Sequence, residues 1–253
     1  KKIAEYTGGQ VAQWWPDTST ADFVEPSDFI KRPCERMLRV QTKYGVDQLL
    51  SENHRIPVID KGSLRLRVVR ADELYEELQN KTFRSFPSTF QMTGGVGLAL
   101  TDAQLRLQIA VMADGSFPKN APHTYRVGLR IKKERKVERL RQLLAEAGTE
   151  FEERVREDGF HCFAFNAPLR LKQYDERFWH CSKQQLQIIC EEAPLWDGST
   201  RTRNIGTRSF HSRHESDVDF LQYAYAACGF IARKTWGNKV WDLVIRGENL
   251  LYC

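Results

Sequence analysis

An internal repeat constrains this chain more than any other feature of its sequence. The segment Gln185-Leu186-Gln187-Ile188-Ile189 to Trp196-Asp197-Gly198-Ser199 echoes Leu105-Arg106-Leu107-Gln108-Ile109 to Ala113-Asp114-Gly115-Ser116. The elements downstream of each copy also match. After the first comes an alternating strand over 125–132 and a basic helix with Val137, Leu140, Leu143 and Leu144 on its apolar stripe, closed by Gly148. A hairpin then flanks the turn Asp158-Gly159. After the second come a basic hairpin candidate over 201–210 and a helix over 215–228 closed by Gly229. A closing hairpin over 230–234 and 240–245 ends the copy. With the closing glycines aligned, Val137 falls on Val218, Leu140 on Leu221 and Leu144 on Tyr225. Residues 100–253 therefore read as helix–strand–strand–helix–strand–strand, twice.

The expected fold class is α+β: two pseudo-symmetric αββαββ repeats, 96–180 and 181–253, behind a small mostly-β segment at 1–95. That first segment reads as short strands and turns, with a hairpin over 37–50, a strand over 63–69, a helical turn over 72–78 and a linker over 80–95. In the repeats, Thr101 or Asp102 caps the first helix. Gly115 is expected to close it in the left-handed conformation, and Pro194 to break the last turn of its counterpart.

Composition narrows the function classes. The 253 residues are 41% hydrophobic and 28% charged, which excludes global disorder. No apolar stretch approaches the ~18 residues of a membrane span. Lys1-Lys2-Ile3 opens without an apolar block, so the chain is expected not to be secreted, but cytoplasmic or with phage or bacterial nucleoid DNA. Six scattered cysteines form neither a disulfide framework nor a zinc pattern. The net charge of +5 points to a polyanion only if it is clustered. It is: Arg126, Arg130 and Lys132 alternate with Val127, Leu129 and Ile131, and Arg201, Arg203, Arg208 and Lys234 occupy the second copy. The commoner reading of such alternation is a solvated strand face; the recurrence in both copies favours double-stranded DNA. The run Lys132-Lys133-Glu134-Arg135-Lys136 reads as an exposed helix start.

If the helices ending in Asp114 and Asp197 meet at a pseudo-twofold axis, both carboxylates arrive at its floor. Two carboxylates held close call for cations between them, which is the arrangement of a divalent-metal site for phosphodiester cleavage. Hard oxygen ligands suit Mg²⁺, with Mn²⁺ able to substitute.

Leu107-Gln108-Ile109-Ala110-Val111-Met112-Ala113-Asp114-Gly115 resembles the LAGLIDADG motif of homing endonucleases and their non-cleaving relatives. Cys190 to Gly198 is similar to a degenerate second copy that keeps Ala193, Asp197 and Gly198. The resemblance covers roughly residues 96–253. It implies that Asp114 and Asp197 are catalytic and bind the metals, helped by the backbone carbonyls of Ala113 and Trp196. It also implies double-strand cleavage across the minor groove, strands that read the major groove, and a monomer acting as a pseudo-dimer.

Phe29 to Cys34 and Gly45 to Arg55 are similar to the self-splicing (Hint) domain of inteins, with Ser51 and His54 at its Thr-x-x-His positions. No Cys or Ser nucleophile opens the chain and no His-Asn pair closes it, so splicing by the usual route is not expected. The leading expectation is a site-specific homing endonuclease making a staggered double-strand break in a long asymmetric target. The alternatives are a non-cleaving DNA-binding protein or RNA maturase on the same fold, and a fragment of a protein-splicing intein.

Overall fold

The computed structural model describes residues 6–41, 47–60, 62–80, 84–87, 89–92, 95–200, 208–237 and 239–246. They fall into two compact units, one within 6–92 and one within 95–246. Among the described residues there are five α-helices and several small sheets, and no helix is long and apolar enough to cross a membrane.

The first unit contains β1 (Val11–Trp15), β2 (Thr20–Val24), β3 (Met37–Gln41), β4 (Asp47–Ser51), β5 (Arg55–Asp60), β6 (Leu66–Arg70), α1 (Ala71–Gln79), β7 (Arg84–Ser85) and β8 (Gln91–Met92). They form the sheets β1-β2-β8, β3-β4 and β6-β5-β7. The stretch over 80–95 thus carries two short strands where the sequence suggests only a linker. Leu38, Leu50, Ile56, Val58, Val69, Ala71 and Leu74 make a small core.

The second unit runs α2 (Asp102–Asp114), β9 (Gly115–Ser116), β10 (Arg126–Ile131), α3 (Glu134–Glu146), β11 (Phe151–Val155), β12 (His161–Asn166), α4 (Lys183–Asp197), β13 (Gly198–Thr200), β14 (Arg208–Ser212), α5 (Glu215–Ala227), β15 (Ile231–Gly237) and β16 (Val240–Arg246). Its two antiparallel sheets are ordered β11-β12-β10-β9 and β15-β16-β14-β13, so each sheet places its strands in the same relative order.

The central helices begin alike. Thr101 accepts from the Gln104 N–H while Gln104 accepts from the Thr101 N–H; Ser182 and Gln185 do the same at α4. These are reciprocal capping boxes, and each satisfies two orphan donors. Leu105, Leu107, Ile109, Ala110 and Val111 of α2 are buried, as are Leu186, Ile188, Ile189, Cys190 and Ala193 of α4. Helices this buried belong in the middle of a core. They pack on one another, while α3 and α5 cover them from outside with Val137, Leu140 and Leu144, and with Val218, Leu221 and Ala224. Each fully buried leucine contributes about 1.5–3 kcal/mol. Gly148 at φ +59 and Gly229 at φ +87 end α3 and α5 in the left-handed conformation.

Two local expectations change. Gly115 closes α2 with extended backbone, φ −75 and ψ 155, not left-handed. It is glycine because a Cβ there would lie 2.5 Å from the Val111 carbonyl oxygen and 3.0 Å from Val127 Cγ2. A Cβ on Gly198 would lie 2.3 Å from the Pro194 oxygen. The requirement is close approach, which only glycine meets. Pro194 does not break α4, which continues to Asp197. Proline has no N–H for the Cys190 carbonyl four residues back, and the Tyr225 hydroxyl of α5 donates to that carbonyl instead, at 2.8 Å.

Tyr225→Phe is therefore expected to cost about 1–2 kcal/mol by leaving a buried carbonyl unpaired, measured by urea denaturation. The loss should shrink in a Pro194→Ala background, where residue 194 supplies its own N–H. An undiminished loss would show that Tyr225 acts through packing alone.

Candidate active site

Asp114 and Asp197 are the last residues of α2 and α4, each followed by glycine and a strand. Because these helices pack together, both carboxylates reach one floor. Burial raises the Asp197 carboxyl above its ordinary value, and the charge of Asp114 raises it further. Lys136 and Lys172 oppose that rise.

Lys136 is the third residue of α3. Its Nζ donates to Asp114 Oδ2 at 2.6 Å and lies 5.6 Å from the centre of the Trp196 ring. Only 8% of the residue is exposed, so the basic run at 132–136 ends in a buried ammonium group, not a fully solvated helix start. Lys172 lies on the connection between β12 and α4. It donates to the Val111 and Met112 carbonyls at 2.9 and 2.6 Å, capping the last turn of α2, where a cation complements the helix dipole. Burial lowers the Lys172 ammonium below its ordinary value, against the pull of Asp114, Asp197 and Asp217.

A cleft of about 1070 Å³ opens beside this floor; its lining includes Ala113, Lys172, Asp197, His211 and Asp217. Asp217, the third residue of α5, accepts from the Tyr174 N–H at 3.1 Å and the Ser212 hydroxyl at 3.2 Å. Burial raises its carboxyl, and the Tyr174 N–H counteracts this. His211 is held through Nδ1 by Asp242 at 2.5 Å and through Nε2 by Ser209 at 3.2 Å.

Behind the floor lies the fully buried carboxylate of Glu192 on α4. Arg106 of α2 reaches it at 3.3 Å, Arg139 of α3 pairs with it through two nitrogens, and Trp196 Nε1 donates to it at 3.0 Å. Three elements are thereby fixed on one charge. Such a group is tolerated only when fully paired.

The donor set can be tested against a divalent cation. It consists of carboxylate oxygens that repel one another, which matches a hard cation. Among the described residues no three His, Cys, Asp or Glu side chains come together as a metal cage. That leaves the Mg²⁺ pattern of one or two carboxylates completed by water and phosphate oxygens. Ala113 is partly buried beside Asp114 and borders the cleft, and Trp196 is buried beside Asp197.

Directly opposed residues of antiparallel strands share a sheet face. Val127 and Leu129 oppose Phe165 and Phe163 on the helix-covered face, so Arg126 and Arg130 project from the open face, with Arg154 of β11 beside them. Arg126 pairs with Glu152 at 2.6 Å, and Arg130 lies 4.8 Å from the centre of the Phe160 ring. Lys132, just beyond β10, lies 5.5 Å from the same ring centre. In the other sheet Lys234 opposes buried Leu243, placing it on the helix-covered face. There it pairs with Glu215 at 3.0 Å and with Asp219. Arg208 shares that face opposite Ile245 and is exposed at the strand end. Arg201 and Arg203 lie outside the described residues. The open face of this sheet carries Arg233, whose buried Nε has no hydrogen-bond partner among the described residues. Strand alternation distinguishes Arg233 from Lys234 once the register is known.

In the first unit Ser51 and His54 bound one tight turn, with the His54 N–H donating to the Ser51 carbonyl at 3.0 Å. The Ser51 hydroxyl donates to Asn53 at 2.9 Å, and His54 is exposed.

No family model and no curated protein matches the chain. Among solved structures it is similar to full-length DUF199/WhiA from Thermatoga maritima, with TM-score 0.44 and 12% identity over 60% of this chain and 53% of that one. This chain thus spans about half the length of that relative. It is also similar to I-DmoI in complex with DNA and Mn, with TM-score 0.41 and 11% identity over 57% and 89% of the two chains. The homing endonuclease I-WcaI bound to its DNA recognition sequence gives TM-score 0.40 and 11% identity over 59% and 77%.

The raised Asp197 carboxyl makes a stability prediction. The folded state holds that proton more tightly than the unfolded chain does. This contribution favours folding at low pH and is lost as pH rises through the folded value. Asp197→Asn is therefore expected to raise the Tm at neutral pH, and to give no such gain below the ordinary carboxyl value of 3.8. Equal gains at both pH values would show that charge is not the cause.

Proposed function

We propose that the unit over 95–246 is a site-specific, metal-dependent DNA endonuclease that hydrolyses phosphodiesters at the floor where α2 and α4 end. One observation carries this reading: Asp114 and Asp197 end two packed helices, with Lys136 on the Asp114 carboxylate and Lys172 on the last carbonyls of α2, and the charge of Asp114 acts on Asp197. A like-charge pair is costly to hold, and oxygen-only donors in that state are suited to a divalent cation.

In this reading Asp114 and Asp197 hold Mg²⁺, or Mn²⁺ in its place, together with the carbonyls of Ala113 and Trp196. The bound ion supplies Lewis-acid stabilisation and a water of lowered pKa. Lys136 orients Asp114 through its hydrogen bond to Oδ2. Lys172 fixes the end of α2 and adds positive charge where a phosphate enters. The two sheets, in matching strand order, are the halves of a pseudo-symmetric pair of repeats, 96–180 and 181–253, within one chain. Their open faces form the double-stranded DNA surface through Arg126, Arg130 and Lys132 on one side. On the other, Arg233 serves, Lys234 is held back by its acidic partners, and Arg208, exposed at its strand end, adds a phosphate contact from the rim together with Arg201 and Arg203, which lie outside the described residues. Unlike halves call for an asymmetric target, and cuts at both strands give a staggered break.

A second reading has its own support. Lys136 already neutralises Asp114, and Lys172 occupies the carbonyls of the last turn of α2. A floor so filled suits a protein that binds DNA without cutting it. The first unit adds little to a splicing role, because the Ser51 hydroxyl is engaged with Asn53 and His54 faces solvent.

The test uses duplexes retained by the protein from a pool with a randomised centre. Wild type with Mg²⁺ is expected to break retained duplexes at one position. Asp114→Asn and Asp197→Asn should lower the rate by roughly 100-fold or more while leaving binding in Ca²⁺ intact. Specific, salt-sensitive binding with no breaks in Mg²⁺ or Mn²⁺ would decide for the non-cleaving reading.

A further inference from the structure

Two thiols meet where α4 packs against α5. Cys190 Sγ of α4 donates to Cys228 Sγ at 3.9 Å, across 38 residues of chain. Cys228 follows the last residue of α5, and the left-handed Gly229 comes next. The two differ in access: Cys190 is 5% exposed, whereas Cys228 is half-buried. Tyr225, which shares a face of α5 with Cys228, donates to the Cys190 carbonyl. One residue of α4 is thus held by α5 at both its backbone and its side chain. Burial raises the Cys190 thiol well above its ordinary value. The hydrogen bond from Cys190 lowers the Cys228 thiol; burial opposes this, and the charge of Lys183 lowers it further. The fold does not call for thiols here. In the first half the matching residues are Leu107, by alignment of Leu107–Gly115 with Cys190–Gly198, and Ala147, which precedes Gly148 as Cys228 precedes Gly229. Both are apolar, so packing alone does not explain a dithiol.

We propose that Cys228 and Cys190 form a modification site for a small disulfide of the glutathione class, with Cys228 attacking and Cys190 resolving, and that the resulting bond ties α4 to α5. The Cys228 thiolate attacks one sulfur of the incoming disulfide and displaces the other half as a thiolate, which leaves a mixed disulfide. Cys190 then gives its proton to water, attacks Cys228 Sγ and displaces the second half. Two protein thiols are oxidised to one bond, and one small disulfide is reduced to two small thiols. The sulfurs must close from 3.9 Å to about 2.05 Å. Cys228 can supply that movement, because it stands at a helix end beside a glycine. The bond reinforces α4 next to the place where Pro194 removes a backbone hydrogen bond. This inference is independent of the nuclease reading.

The experiment uses the full chain, equilibrated with oxidised glutathione, trapped in acid, alkylated and digested with trypsin without reduction. Cleavage after Lys and Arg places Cys190 in the peptide 184–201 and Cys228 in the peptide 214–233, each with a single cysteine. The two peptides are expected as one linked species, returned to free peptides by dithiothreitol. The linked chain should melt roughly 5 °C or more above the reduced chain, with slower amide exchange over 195–197 at the end of α4. Cys190→Ala should stop at the first step and carry glutathione on the peptide 214–233. Cys228→Ala should leave the peptide 184–201 unmodified. The wild-type readings need no variant to fold. Two free thiols in the wild type, or glutathione retained on Cys228 without a linked species, would overturn the inference. Glutathione on Cys190 in Cys228→Ala would overturn the assignment of roles. A linked chain with unchanged melting and exchange would overturn the tie between the helices.

Discussion

The pairing of α2 with α4 is the interaction on which the second unit depends. Both helices are buried over most of their surface, and both end at an aspartate followed by a glycine that admits no Cβ. Close packing alone would leave their register free to slide. Polar contacts across the pair remove that freedom. Arg106 reaches Glu191 and Glu192, Gln184 reaches Asp102, and Gln185 bonds both backbone groups of Leu98. Glu192 adds Arg139 from α3, so the outer helix is referenced to the same buried charge. An unpaired carboxylate there would be costly enough that slipped arrangements are excluded. The position of the two terminal carboxylates follows from this lock.

The two sheets share one relative strand order, yet the helices that lead into them are completed by different chemistry. α2 ends on Ala113-Asp114 with Lys172 on its last carbonyls, whereas α4 contains Pro194 and borrows the Tyr225 hydroxyl to satisfy Cys190. Tyr225 falls at the position held by Leu144 in the first half. Leucine suffices where no proline removes a donor; tyrosine supplies the missing proton where one does. The same comparison places Lys136 against Asp217. At one position tyrosine supplies a hydrogen bond where leucine only packs; at the other an aspartate stands where the first half carries a lysine.

Much of this architecture was legible in the sequence, because helix and strand periods repeat and glycines stand where chains turn. The places of Asp114 and Asp197 at the ends of α2 and α4 were legible for the same reason. The contacts that stayed hidden join distant elements. Lys136 sits in a run of charges that looks solvated until α3 folds back over the end of α2. Lys172 lies in a connection without periodicity. Glu192 did carry a signal, an acid inside an apolar helix, but its partners Arg106 and Arg139 are not adjacent in sequence. Arg233 and Lys234 differ only by strand register, which pairing with Val244 and Leu243 decides. Pro194 looks like a helix breaker because its remedy lies on another helix.

Charge at the floor sets stability against chemistry. Burial, and then the charge of Asp114, raises the Asp197 carboxyl, burial lowers the Lys172 ammonium, and each shift marks a group held where water would suit it better. A core selected only for stability would replace these groups with apolar side chains of similar volume, often at no cost. The chain instead keeps them, with the Lys172 ammonium on the Val111 and Met112 carbonyls, beside a cleft of about 1070 Å³. Groups kept charged at such expense are held ready for a partner that completes their solvation. In the nuclease reading proposed above, phosphate oxygens with a divalent cation would do this for Asp114 and Asp197.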